Sequence, residues 1–580
     1  MRNVATLSFK ILEQIRYFAP IIKMKNIVLY LCFLSLIFST GCKKSGGDDP
    51  DPVPPTPASF SFSSLKVNGV FNGFTYYNSS YTPVIKFSFS TKIKQESISN
   101  AFSFISTGGT TITYNSSLEN NDSTVVIQPS ANLTALTKYD VNVSPLLKSQ
   151  AGGSLLTGTT VRLITKIDST DKFPVISDDA LLTLVQKQTF KYFWDFAHPT
   201  SGLARERNSS GETVTTGGSG FGIMSIPVAI ERSFITRAQG LARMQTIVGF
   251  LQNTAQRFHG AYPHWLNGTT GAVIPFSTKD NGADLVETSY LMQGLIAARQ
   301  YFNGADPAEA TLRANINSIW NAVEWDWFRN GTQNVLYWHW SPNYNWEMNL
   351  PIQGWNEGLI TYVMAASSTT HSIPKIVYTN GFARNGAIVN GNTYYGYQLP
   401  LGPAYGGPLF LSQYSFLGIN PNQLTDIYAN YFTQNKNHSL INYNYCVTNP
   451  QGYFGYSNLC WGLTASDIQS GYTASSPTND VGTIAPTAAI SAIPYTPTES
   501  LNALKFFYYK LGDKLWGEYG FVDAFSLKDI WFANSTLAID QGPIIIMIEN
   551  YRTGLLWNLF TSAPEVKAGM LSLGFTAPYL

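Results

Sequence analysis

Charge is what this sequence has least of. Asp, Glu, Lys and Arg make up only 13% of 580 residues, and 37 basic side chains against 36 acidic ones leave a formal net charge of +1. A soluble domain ordinarily carries about a quarter of its residues charged. So balanced a chain sets up no field that gathers nucleic acid or an anionic lipid surface, and polyanionic partners are disfavoured. Cysteine is scarce as well, with four in the whole chain. There is no CxxC pair, no HExxH motif and no Gly-rich phosphate loop, and the six His are scattered. Neither a metal nor a cofactor is expected from such a set. Long apolar runs are missing too. The stretch from Ile27 to Phe38 falls short of the ~20 residues a spanning helix needs.

That stretch has a different meaning in its context. Met24 and Lys25 precede it, and Ser39, Thr40 and Gly41 follow it directly before Cys42. Small residues before a Cys resemble a bacterial lipobox, although Ser39 stands where Leu is usual. Residues 1–42 therefore read as an export signal, with translation expected to start at Met24 and Cys42 expected to carry lipid. Residues 43–58, polar and Pro-rich, have the composition of a stiff, solvated tether. The expected location is the bacterial cell envelope, periplasmic or outer-membrane surface, with the lipid as the membrane contact and the protein a monomer. Cys32 lies in the discarded signal, so only Cys446 and Cys460 are left to form one disulfide or none.

What is abundant is aromatic: 33 Tyr, 35 Phe and 13 Trp, 14% of the chain. Flat apolar faces with hydroxyl handles suit a neutral ligand such as a sugar, and they also suit an ordinary core. The length exceeds what one core normally holds, and at least two domains are expected. Over 59–167 the period is two: Ile85, Phe87 and Phe89 alternate with Lys86, Ser88 and Ser90, and Tyr139, Val141 and Val143 alternate with Asp140 and Asn142. Turn clusters at Gly108-Gly109 and Gly152-Gly153 divide short strands, as in a β-sandwich. The segments 82–90, 97–102, 125–129, 139–147 and 161–165 resemble bacterial Ig-like modules. A spacer role is the plain reading of this domain and sugar binding the alternative.

From 173 to 580 the period lengthens to that of helices. Leu181, Leu182, Val185, Thr189, Tyr192, Phe193 and Phe196 form one stripe behind the capping residues Ser177, Asp178 and Asp179. Further stripes are expected at about 226–257, 284–302, 308–328, 355–367, 423–433, 498–511 and 536–560. Long Gly-, Pro-, Asn- and aromatic-rich loops join them. Helices arranged about an axis, with loops lining a cleft, fit this pattern better than a βα barrel.

Eight segments carry a family resemblance across this region: TGGSGFGIMSIPVAIER (216–232), ETSYLMQGLIAARQYF (287–302), GWNEGLITY (354–362), GPLFLSQYSFLGI (407–419), CWGLTASD (460–467), APTAAISAIPYTP (485–497), LWGEYGFVDAF (515–525) and IDQGPIIIMIENYRTGLLW (539–557). Together they resemble the bacterial glucoamylase-like domain. With DNGADLVETSYL (280–291) they are similar to the endo-β-1,2-glucanases of glycoside hydrolase family 144. The resemblance implies an (α/α)6 toroid, no metal requirement and inverting hydrolysis of β-1,2-glucan to sophoro-oligosaccharides.

Such hydrolysis needs one carboxylic acid to protonate the leaving oxygen and one carboxylate to activate water. Glu357, in Gln353-Gly354-Trp355-Asn356-Glu357-Gly358, is the leading acid, against the plain reading of a first-turn helix stabiliser. A helix start would lower its pKa, so burial or a neighbouring carboxylate must win. Asp284 and Glu287, with Asp280, put up to three carboxylates on one helix face and complete the catalytic candidates. In the family the Glu287 position often carries Asp. Asp480 and Asp540 resemble family positions, and loop ordering explains them equally. Sugar contacts are expected from Arg205, Arg207, Tyr262, His264, Trp265, Trp338, His339, Trp346 and Trp355. Besides the endo-acting glucanase, three readings compete: an exo-acting variant releasing disaccharide, a non-catalytic carbohydrate-binding lipoprotein of a glycan uptake system, and a polysaccharide lyase. The last would prefer a basic cleft.

Overall fold

The computed structural model describes residues 56–580. Met24, Cys42 and the tether up to residue 55 lie outside the described residues. Among these, no helix is long and apolar enough to cross a membrane.

The alternation read above builds eight strands: β1 (Phe62–Val67), β2 (Thr75–Ser79), β3 (Ile85–Phe89), β4 (Phe102–Ser106), β5 (Tyr114–Glu119), β6 (Thr124–Pro129), β7 (Lys138–Val143) and β8 (Thr159–Thr165). They form two four-stranded sheets, β1-β3-β6-β5 and β2-β8-β7-β4. Pairing is antiparallel except that β2 runs parallel to β8. Period two fixes which side chains face inward: Ile85, Phe87 and Phe89 in one sheet close on Phe104, Val141 and Leu163 in the other, all buried.

This sandwich is joined to the helical region by more than its chain connection. Leu136 packs into the helical core beside Leu181 and Leu182. Tyr77 stacks on Phe454 with ring centres 5.6 Å apart. The connecting segment is pinned as well: Phe173 stacks on Tyr508 at 4.6 Å, and Lys510 reaches the Ser169 carbonyl at 2.6 Å and Asp171 at 2.7 Å.

Twelve helices are followed below: α1 (Asp178–Trp194), α2 (Thr216–Glu231), α3 (Arg237–Asn253), α4 (Leu285–Tyr301), α5 (Pro307–Asn321), α6 (Leu359–Ser367), α7 (Tyr431–Thr448), α8 (Pro486–Ile490), α9 (Pro497–Lys505), α10 (Ala538–Arg552), α11 (Leu555–Ser562) and α12 (Pro564–Leu573). Two kinds alternate in the first part of the region. Helices α2 and α4 are buried on nearly every face, whereas α3 and α5 bury one stripe, Met244, Ile247, Val248 and Leu251 in the former and Leu312, Ile316 and Ile319 in the latter. Helix α10 is buried all round too and returns to α1 and α2. Gln186 donates to the Ile545 carbonyl and to Glu549, and Phe221 lies against Gly542.

Several expected boundaries move. The single stripe at 226–257 is two helices, divided where Thr236 and Gln239 make a capping box. The stripe at 423–433 is mostly loop, because Asp426 accepts the Tyr428 and Ala429 N–H groups and turns the chain before α7 begins. The stripe at 536–560 breaks at Gly554, which has φ +72° and heads α11. Cys446 and Cys460 are buried free thiols and form no disulfide.

The crossing of α2 and α4 has no room for side chains. A Cβ on Gly220 would lie 2.2 Å from the Tyr290 carbonyl oxygen, and one on Gly294 would lie 2.2 Å from the Gly220 carbonyl oxygen. Both obstacles are backbone. Gly294→Ala is therefore expected to cost about 3 kcal/mol, the upper part of the overpacking range. Gly249→Ala in α3, where a Cβ meets nothing within 4 Å, should be neutral or slightly stabilising. Urea midpoints of the two variants check this.

Candidate active site

The site grows from the first residue of the α4 cap. Asp284 is fully buried, and its backbone is fixed by Asp284 N–H to the Tyr262 carbonyl at 2.9 Å and by pairing of Ala283–Asp284 with His339–Trp340. Its Oδ1 accepts the Glu287 N–H at 2.9 Å, which caps the helix. Its Oδ2 accepts from His264 Nδ1 at 3.0 Å and lies 3.6 Å from His339 Nδ1, itself 3.3 Å from Asp280. Two imidazoles and two carboxylates thus form a closed charge box. Burial works against the Asp284 charge, but His339 and His264 outweigh it and hold the carboxyl below its ordinary range. The imidazoles respond in kind. Burial opposes the His264 proton, yet Glu287 and Asp284 push its pKa up to about 9, and Asp284 and Asp280 raise His339.

His264, Asp280 and Asp284 bring ligand-type atoms within 4.8 Å of one another. A cation could be held there only if His264 gave up its proton, which its raised pKa opposes at neutral pH.

Glu287 points the other way, toward α2. Its Oε2 accepts the Gly217 N–H at 2.7 Å, and a Cβ on Gly217 would lie 2.5 Å from that oxygen. Glycine is required there for the carboxylate to reach the backbone. Burial raises Glu287 to about 6, with His264 pulling down and Asp284 pushing up.

Glu357 stands just outside α6, whose cap is Gly358, so it is not a first-turn residue of the helix. Its carbonyl is anchored by the Ser415 hydroxyl at 2.6 Å and the Tyr290 hydroxyl at 3.4 Å. Its half-buried carboxyl is left for other work. Burial pushes it up to about 7, and the charges of Glu287 and Asp284 add to the rise. Here burial and the neighbouring carboxylates win, the condition an acid role required.

A second set of carboxyls gathers at the start of α10. Arg207 bridges Glu206 at 2.9 Å and Asp467 at 3.1 Å. Asp467 accepts from Ser535, and its own N–H donates to Asp523 at 2.6 Å. Asp540 is buried, and neither of its oxygens has a hydrogen-bond donor among the described residues. Burial and the neighbouring Asp523 raise Asp540 well above the carboxylate range, and burial raises Asp523 to about 6. The pair is built to share one proton. The Tyr414 hydroxyl feels both sets: it is raised first by burial and then by the charges of Asp540 and, more weakly, Glu357 among others.

The other expected contacts divide. Trp265 stands in the box's outer wall, with Phe276 at 4.9 Å and His264 edge-on to it. Trp338 stacks beside His339 at 5.9 Å, and its carbonyl accepts the Leu285 N–H. Trp346 packs on Trp327 at 4.8 Å, and the Arg205 guanidinium lies 4.6 Å from the centre of the Phe196 ring. Three assignments are corrected. Tyr262 is fully buried with its hydroxyl on the Leu251 carbonyl, and Trp355 is buried among Phe382, Phe416 and Tyr431; neither presents a face to a sugar. Asp480 accepts from Tyr445, Tyr456 and the Gly482 N–H, and so orders its loop. Asp467 and Asp523 were not singled out by sequence, although each lies within a motif segment.

Comparison with known proteins agrees with this architecture. The Glycoamylase family model matches residues 349–564, and the bacterial Ig-like domain model matches residues 74–165. An endo-β-1,2-glucanase from Chitinophaga pinensis, solved with sophorotriose and glucose, is 52% identical with a TM-score of 0.69, over 70% of this chain and all of that one. A β-1,2-glucanase structure from Parabacteroides distasonis is 38% identical with a TM-score of 0.67, over 90% of this chain and 73% of that one. An exo-β-1,2-glucooligosaccharide sophorohydrolase from the same species is 46% identical over 417 residues, 68% of this chain and 58% of the relative. The chain thus spans less than two thirds of that curated relative. A helical domain with raised carboxyls near its helix starts is similar here to solved and curated glycoside hydrolases. The chain belongs to the glucoamylase-like family, with a bacterial Ig-like domain ahead of the helical one.

The charge box sets a pH window for stability. His264 is raised from 6.5 to about 9 in the fold, so its contribution is complete below pH 6.5 and is lost as the pH climbs through 9. Glu357 and Glu287, raised from 4.5 to about 7 and about 6, weaken folding lower on the scale, and their effect is complete above pH 7. The decline between pH 7 and 9 is therefore shared by the imidazoles and Asp540, the carboxyl raised furthest. His264→Gln should flatten that decline in urea midpoints measured across the range, leaving the parts due to His339 and Asp540.

Proposed function

We propose that this protein hydrolyses β-1,2-glucan to sophoro-oligosaccharides with inversion, acting endo, and that its helices close as an (α/α)6 toroid around the two carboxyl sets. Support for the toroid comes from the alternation of fully buried and one-faced helices and from the return of α10 to α1 and α2. The single observation that carries the chemistry is Glu357, a half-buried carboxyl raised to about 7. At neutral pH a large share of it holds a proton for the leaving oxygen.

The partner carboxylate must receive a proton from water. Asp284 is unsuited to this, because its oxygens are committed to Glu287 and the imidazoles; it orients the box. In the Asp523–Asp540 pair Asp540 keeps the proton and Asp523, raised to about 6, carries the charge at neutral pH; a carboxyl pair that shares one proton in this way suits a general base. Inversion asks for ~6.5–9.5 Å between acid and base. Arg207, tied to Glu206 and Asp467, keeps this second set from accumulating uncompensated negative charge. The aromatic side chains in the outer wall of the box, Trp265 first, offer faces for sugar rings.

The exo reading draws on the disaccharide-releasing relative and is separated by product sizing. Incubation with a panel of soluble α- and β-glucans should show loss of polymer with β-1,2-glucan alone, early products of mixed length, and an α anomer at the new reducing end by proton NMR. A β anomer, or sophorose as sole early product, would overturn inversion or endo action respectively. Glu357→Gln should lower kcat by ~10²–10⁴ with little change in binding, and the wild-type rate should fall above about pH 7 as Glu357 loses its proton. Asp540→Asn should lose at least as much as Glu287→Gln; the reverse order would move the base to Glu287.

We also propose that Cys42 is lipidated and that the enzyme works as a monomer from the cell envelope. Cys42→Ser should move the protein from carbonate-washed membranes to the soluble fraction with its hydrolytic rate unchanged.

A further inference from the structure

The Ig-like domain carries a feature that a spacer does not need. Between β1 and β2 the chain crosses from the edge of one sheet to the edge of the other, and along this crossing it holds Val70, Phe71, Phe74 and Tyr77 at 61%, 60%, 45% and 41% exposure. These are not loose side chains on a loose loop. The Tyr76 hydroxyl accepts the Asn72 N–H at 3.0 Å and donates to the Val70 carbonyl at 3.3 Å, while Asn68 bridges the Val84 N–H and Ser80. The rings follow one another: Phe62 is 6.0 Å from Phe74, Phe74 is 6.4 Å from Phe71, and farther along β2 Tyr77 stacks on Phe454 of the helical domain at 5.6 Å. Phe454 and its neighbour Tyr453 belong to the segment whose Tyr453 hydroxyl donates to the Asp480 carbonyl. The aromatic strip therefore reaches the helical domain at Phe454.

Its chemistry selects the occupant. From Val67 to Ile85 there is no charged residue; the charges that flank this stretch are the exposed Lys66 before it and Arg162, opposite Thr75 in β8 and bidentate to Asp140. The polar side chains within it are amides and hydroxyls, with Asn72 and Asn78 exposed. A lipid surface would call for a cluster of unpaired Lys or Arg around the apolar groups, whereas Arg162 here is neutralised by Asp140 and leaves Lys66 beside the strip; a charged polymer would call for a field of the opposite charge. Rigid aromatic faces interspersed with amides and with little net charge match a neutral carbohydrate chain, whose rings stack and whose hydroxyls pair with amides. We infer that the Phe62–Phe71–Phe74–Tyr77 strip is a secondary binding site for a neutral glucan strand, holding polymer that extends beyond the cleft. This rests on the glucanase reading above for the polymer's identity.

The test uses the full chain and the double variant Phe71→Ala/Phe74→Ala, both sites being exposed and outside the proposed machinery. Rates on β-1,2-glucan polymer and on a short sophoro-oligosaccharide are compared, together with mobility in native gels containing the polymer. The expected result is a KM for polymer raised about tenfold, an unchanged polymer kcat, unchanged kinetics on the short substrate, and weaker retardation in the gel. Unchanged polymer KM and mobility would overturn the proposal, as would loss of retention by phosphatidylcholine vesicles with glucan binding intact. Equal losses on short and long substrates would also overturn it, since they would mean damage to the cleft. Wild-type protein that leaves β-1,2-glucan uncut would refute the glucanase reading; the strip is then judged by whether the double variant alters retardation in gels of other neutral glucans.

Discussion

Everything in the candidate site leans on one buried carboxylate. Asp284 has no exposure, and a bare charge in that position would cost several kcal/mol. It is tolerated because one oxygen caps α4 while the other faces two imidazoles. That arrangement fixes three things together: where α4 begins, which protonation state His264 and His339 adopt, and the direction Glu287 takes toward the backbone of α2. Loss of any partner leaves the others with an uncompensated charge, so the group behaves as a unit.

Around Asp284, both of whose oxygens accept hydrogen bonds, the protein places carboxyls that have fewer donors. Glu287 keeps one backbone donor, the Glu357 carboxyl has no side-chain donor among the described residues, and the Asp540 oxygens have none outside the Asp523 pair. The order runs from a low pKa at Asp284 to raised values at the other three. One neighbourhood thereby provides carboxylates that stay charged and carboxyls that keep a proton, the division of labour acid–base chemistry requires.

Much of this was legible in the sequence, for physical reasons that differ by element. Strand alternation at 85–89 and 139–143 reads directly because one face meets water and the other a core. The α4 start reads because Asp284 and Glu287 are local in sequence. The helix expected at 423–433 misled because Asp426 offers its carboxylate to two N–H groups, a choice that apolar spacing does not reveal. Tyr262 and Trp355 misled in another way: an aromatic beside a carboxylate looks the same in sequence whether it lines a cleft or fills a core. Asp467 and Asp523 were hidden because Asp523 accepts the Asp467 backbone N–H and Asp467 in turn binds Arg207, contacts between segments far apart in the chain.

The return of α10 to α1 has a consequence for how the chain must assemble. Gln186 finds Glu549 across 363 residues, and Arg552 finds Asp179 across 373. During synthesis the sandwich emerges first and has all its strands before any of this is possible. Helix α1 must then wait, its apolar stripe unpartnered, until nearly the last segment leaves the ribosome. Loop closure over such distances makes the helical domain slow to complete despite its local hydrogen bonding. The interval exposes Leu181, Leu182 and Val185 to the wrong neighbours, and Leu136 of the finished sandwich, which shares their core in the folded protein, is a member of that core already in place.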